Sequence, residues 1–125
     1  MIKKIEVQVS LKNNEPSLYI SPKKPFGIYL EKHKNHTQIA AIKIELDLTE
    51  NVLEEILWTH PSPLNKRKED TWQLFWSNDS NRLLMIGANQ ALLVFDFLKQ
   101  TIYSKEEYID TKNWSYFQCS QEIFN

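Results

Sequence analysis

Apolar and polar residues alternate with a period of two along much of this chain. Ile5, Val7, Val9 and Leu11 are separated by Glu6, Gln8 and Ser10, the pattern of a strand with one buried face. Ile42, Ile44, Leu46 and Leu48 alternate with Lys43, Glu45 and Asp47 in the same way. Leu92 to Phe97 is apolar almost throughout, which predicts a central strand covered on both faces. Turn formers stand between these runs: Asn13 to Pro16, Ser21-Pro22, Asn78 to Asn81 and Ala88 to Gln90. Strands at roughly ten-residue spacing read as an antiparallel meander.

Two stretches compete for helix. Val52 to Leu57 has helical spacing of apolar residues but is short and runs into Trp58-Thr59-His60-Pro61; it reads as a strand. Ser104 stands three residues before Glu107, a capping-box spacing that predicts one helical turn over 104–109.

The segment Ile20 to Leu30 can be laid on Trp76 to Ile86 at an offset of 56, strand end on strand end and Ser21 on Ser77. Further on, Leu46-Asp47-Leu48 is matched with Phe95-Asp96-Phe97, so the offset falls to 49. Each half then resembles a β-propeller blade, although two blades cannot close a propeller. The expected fold is all-β: two antiparallel meander sheets packed as a sandwich or half-barrel, with at most one short helix. Residues 1–125 are expected to form a single domain, with meander halves 1–60 and 71–125 joined by a charged loop 61–70.

Composition narrows the function. Four Trp, six Phe and five Tyr in 125 residues can fill a core, while two Gly exclude a Gly-rich phosphate loop. The single cysteine, Cys119, cannot form an internal disulfide and points to a reducing compartment. No apolar run is long enough to span a membrane. A cytoplasmic location is expected.

Net charge is −1 but is unevenly placed. Residues 1–34 carry +4 and residues 35–60 carry −4, the latter from Glu45, Asp47, Glu50, Glu54 and Glu55 against Lys43. That asymmetry favours a protein partner over nucleic acid, and the lack of a long apolar run argues against a membrane partner.

Sequence searches for chemistry turn up no nucleophile elbow, phosphate loop or His-Glu-x-x-His. His33 and His36 form a His-x-x-His pair in a polar loop with no third ligand nearby in sequence. Asp79 and Asp96 have turn and strand-end explanations. The expectation is a protein that is not an enzyme and has no catalytic residue, metal or cofactor.

If 42–48 and 52–58 form a hairpin, Glu45, Asp47, Glu50, Glu54 and Glu55 crowd one end. A basic partner would relieve their repulsion, with Trp58 as an interface anchor. Replacing Glu54 and Glu55 by Lys is then expected to weaken binding and leave the domain folded. Trp72 and Trp76, four apart on one strand, are expected to share a face in the core.

At Pro25 to Glu31, Trp76 to Asp79 and Ala91 to Phe97 the chain resembles an uncharacterised family of small bacterial β-rich proteins, with Ser80 where that family has Gly. The resemblance implies a β-rich domain and no site to transfer. By class alone, such proteins are similar to immunity proteins of contact-dependent growth inhibition. That likeness implies neutralisation of a bacterial toxin, a nuclease in the leading reading, by occlusion of its active site. Two other readings stand beside it: a small β-domain with a ligand pocket or weak hydrolase activity, and a structural homodimer subunit. The expected oligomeric state is a monomer or weak homodimer.

Overall fold

The computed structural model describes residues 5–12, 15–33, 36–59, 69–87, 91–104 and 110–118. Ten strands follow one another: β1 Ile5–Lys12, β2 Pro16–Ile20, β3 Phe26–Lys32, β4 His36–Ile44, β5 Glu50–Thr59, β6 Glu69–Trp76, β7 Arg82–Gly87, β8 Ala91–Asp96, β9 Thr101–Ser104 and β10 Ser115–Gln118. They make a four-stranded sheet, β2-β3-β4-β5, and a six-stranded sheet, β1-β6-β7-β8-β9-β10, not closed into a barrel. All neighbours pair antiparallel except β9 and β10, which run parallel. The all-β expectation holds, and of its two packings the structure is a sandwich.

Alternation explains which faces meet. Ile28, Leu30, Ile39, Ala41, Ile56 and Trp58 point from the smaller sheet into one apolar cluster. Trp72, Leu74, Trp76, Leu83, Met85, Leu93, Phe95 and Ile102 enter it from the larger sheet. Burying such side chains is the main driving force for the fold. Trp58 and Trp72 meet edge to face with centroids 5.8 Å apart, a geometry favoured by the ring quadrupoles. Trp72 and Trp76 share the core face as their spacing requires. Val94 is buried on the opposite face with Leu84, so β8 is covered on both sides as its composition predicts.

The two meanders β2–β5 and β6–β9 repeat one unit. The Ser21 amide donates to the Phe26 carbonyl at 2.8 Å, and the Ser77 amide to the Arg82 carbonyl at 2.9 Å. These serines are 56 positions apart, as expected. Beyond that point the expected alignment needs correction. Leu48 and Gln100 hold the same left-handed backbone, φ 67° and 55°, at the third hairpin of each meander. They lie 52 positions apart, not 49.

Two other expectations change. Leu46 and Leu48 do not extend β4, which ends at Ile44. Asp47 accepts hydrogen bonds from the Thr49 amide and hydroxyl, and the Leu48 amide donates to the Glu45 carbonyl. A local side-chain turn therefore overrides the alternating pattern. The chain halves are also not the sheets, since β1 leaves the first half to pair with β6. Residues 52–58 lie wholly within β5, a strand. Of the helical turn expected over 104–109, Ser104 instead closes β9; residues 105–109, His60, most of the charged loop and Cys119 lie outside the described residues.

Candidate functional site

The β4–β5 hairpin forms as expected, but its acidic residues separate onto different surfaces. The register pairs Ile42 with Val52, Ala41 with Glu54 and Ala40 with Glu55, with an irregularity between Ala41 and Ile42. The bulge absorbs Leu53, so Leu53 and Glu54 both face inward while Val52 and Glu55 face outward.

Glu54 is fully buried. Its carboxylate accepts hydrogen bonds from four backbone amides: Glu55 at 2.9 Å, Lys112 at 3.0 Å, Asn113 at 2.8 Å and Trp114 at 2.5 Å. Burial pushes its pKa up, but the amides of Trp114, Glu55, Asn113 and Lys112 outweigh that and hold it below the ordinary glutamate value. Glu54 thus binds the segment before β10 to the edge of the smaller sheet. Asn113 adds a bond from Nδ2 to the Leu53 carbonyl at 3.1 Å. This corrects the expectation for Glu54, which has no surface to offer a partner. Lys in its place would set an ammonium among four N–H donors, so Glu54→Lys is now expected to destabilise the domain.

Trp58 is corrected in the same way, because it lies in the core against Trp72. Strand parity puts positions 54, 56 and 58 on one face, and that face is the interior.

Glu45, Asp47 and Glu50 do gather at the hairpin tip. Glu45 accepts from Asn51 Nδ2 at 2.7 Å. The Asp47 carboxylate lies below its ordinary pKa because the Thr49 hydroxyl and amide donate to it. Glu50 is exposed at the start of β5. Between these acids, Leu46 is fully exposed and Leu48 nearly so. Glu55 is half-buried and accepts from Gln38 Nε2 across the strand pair.

Residue parity also brings together side chains that the charge pattern does not single out. Register places Leu18 opposite Tyr29, Tyr29 opposite Ala40 and Ala40 opposite Glu55. Ile20, Gly27, Ile42 and Val52 form a second row. Ile20 is 53% exposed, Val52 57% and Leu57 61%, on the sheet face turned away from the core. The signal was present in Val52 to Trp58, which is apolar on both faces, as a strand with one wet face is not.

The remaining candidates have structural explanations. Ser77 Oγ donates to Asp79 Oδ1 at 2.6 Å, and the Asn81 amide donates to the same oxygen at 3.1 Å. These bonds lower the Asp79 pKa. Asp96 is buried, accepts from the Leu98 and Lys99 amides and pairs with Arg82 Nε at 3.2 Å. Lys23 Nζ reaches the Asn78 carbonyl at 3.0 Å, so the two equivalent turns touch. The His33 ring lies tilted against that of His36, centroids 4.8 Å apart, and its Nε2 is 2.8 Å from Glu31 Oε1. No group of three metal-ligating side chains occurs among the described residues. Nor, among them, is any helix long and apolar enough to cross a membrane.

Comparison with known protein families, curated proteins and solved structures found no match.

Proposed function

We propose that this chain is a cytoplasmic immunity protein that neutralises a bacterial toxin by covering its active site, and that the toxin is a nuclease. The observation that carries the reading is the β4–β5 hairpin tip. Glu45, Asp47 and Glu50 stand with exposed Leu46 and Leu48 on a turn held by the Glu45 amide to the Thr49 carbonyl and the Leu48 amide to the Glu45 carbonyl, each 2.9 Å. A turn already closed by backbone hydrogen bonds loses less freedom on binding than an open loop. Its carboxylates suit a cleft that binds phosphate with basic groups, and its leucines supply apolar area once inside. Opposite charge speeds the encounter, and burial sets the residence time.

The test looks immediately upstream for a reading frame that ends in a toxic domain, and uses that domain. The expected result is a one-to-one complex that abolishes nuclease activity, weakened about tenfold or more by Asp47→Lys with Glu50→Lys. Full nuclease activity in the presence of excess protein would overturn the reading.

A further inference from the structure

We infer that the outer face of the four-stranded sheet is a second docking surface, and that its partner is a protein surface with an apolar centre and a basic rim. The inference deepens the proposed function by naming a larger contact area and the chemistry of what it meets.

The face is continuous with the hairpin tip through the Ile42–Val52 and Ile44–Glu50 pairs. Its exposed apolar side chains are Leu18, Ile20, Val52 and Leu57. They lie on the two edge strands, β2 and β5, to either side of Ala40 and Ile42, which are buried. Apolar side chains gathered on one exposed face mark an interaction site more often than chance placement.

Charge selects the occupant. By strand parity and register, Glu31, Glu50 and Glu55 belong to this face, and no strand residue on it is Lys or Arg. A second copy meeting it face to face would oppose carboxylate to carboxylate, which disfavours a homodimer. Lipid headgroups and nucleic-acid phosphates are repelled by the same carboxylates. A cationic protein rim is attracted, and an apolar centre would cover the leucines and isoleucine.

The probe is a short acetylated and amidated peptide alternating Lys and Leu, titrated into the ¹⁵N-labelled protein, with its Glu-Leu counterpart as control. The expected result is amide shifts concentrated at Leu18, Ile20, Tyr29, Ile42, Val52 and Leu57. Affinity should fall when salt rises from about 20 to about 200 mM. It should fall about tenfold or more in Val52→Lys with Leu57→Lys, and also in Ile20→Lys should the double variant not fold. Shifts confined to other surfaces, no shifts at all, or equal binding of the Glu-Leu peptide would overturn the inference. So would concentration-dependent dimerisation that Leu57→Lys abolishes, because the occupant would then be a second copy. The peptide contains no toxin, so its failure leaves the nuclease experiment standing, and the reverse also holds.

Discussion

The two meanders share a turn, a left-handed third-hairpin residue and a core, yet their surroundings differ. The second, β6–β9, is flanked by β1 on one side and β10 on the other. Among the described residues, the first, β2–β5, has no strand beyond β2 or β5 in its sheet. Its edge at β5 is met instead by the segment that Glu54 holds, and its outer face carries exposed Ile20, Val52 and Leu57. One repeat is embedded and the other is presented. The same folding unit can thus serve as framework or as contact surface according to what the rest of the chain lays beside it.

The largest expected effect comes from breaking the clasp between the two. Glu54→Ala leaves up to four amides without their acceptor, each costing about 1–3 kcal/mol when buried. A total loss of about 3 kcal/mol or more in chemical denaturation is expected, because water recovers part of the loss. An unchanged midpoint would show that the presented meander does not depend on the segment before β10.

Acid probes the same clasp more gently. The Glu54 carboxyl titrates lower in the folded protein than the ordinary 4.5. Its contribution is therefore complete above that value and is lost as pH falls through the lower folded one. Glu54→Gln should flatten this part of the stability profile, measured by urea midpoints at successive pH values.

A pair of glycines sharpens the contrast between the repeats. A Cβ at Gly87 would come within 2.3 Å of the Trp72 ring, whereas one at Gly27 would lie 3.2 Å from the Tyr19 carbonyl. Gly87→Ala should cost about 2 kcal/mol or more through overpacking, and Gly27→Ala less, as read from thermal midpoints. Equal costs would contradict the difference in space at these two positions, Gly87 facing Trp72 in the core and Gly27 facing outward.

Ser80 distinguishes the two serine turns. It is buried with φ 59°, and its hydroxyl has no hydrogen-bond partner. Ser80→Gly removes both penalties, offset by greater freedom of the unfolded chain. A net gain of about 1 kcal/mol is expected by denaturant titration. The smallest effect is at the presented face, where Leu57→Lys should alter stability by less than about 0.5 kcal/mol.

Much of the fold was legible because strands with one buried face write a period of two into the chain. Leu92 to Phe97 announced its double cover, and the matching of Ser21 with Ser77 located the repeat. Less legible was anything decided by a single backbone irregularity. Leu46 and Leu48 continue the pattern of β4, but Asp47 and Thr49 close a turn that period counting does not see. The candidate site was legible at its tip and obscured in β5. Adjacent glutamates 54 and 55 look alike as a charge cluster, and only register shows that one faces amides and the other faces out. Trp58 shares the parity of Glu54 and goes inward with it. Counting charge without parity merged two surfaces that the sheet holds apart.

The most direct test of the claim that the first meander presents its outer face to a partner is calorimetric binding of the proposed toxin partner to Val52→Lys with Leu57→Lys. The account predicts a melting temperature close to that of the unaltered protein and an affinity lower by about a hundredfold. Affinity equal to that of the unaltered protein, with the fold intact, would contradict it.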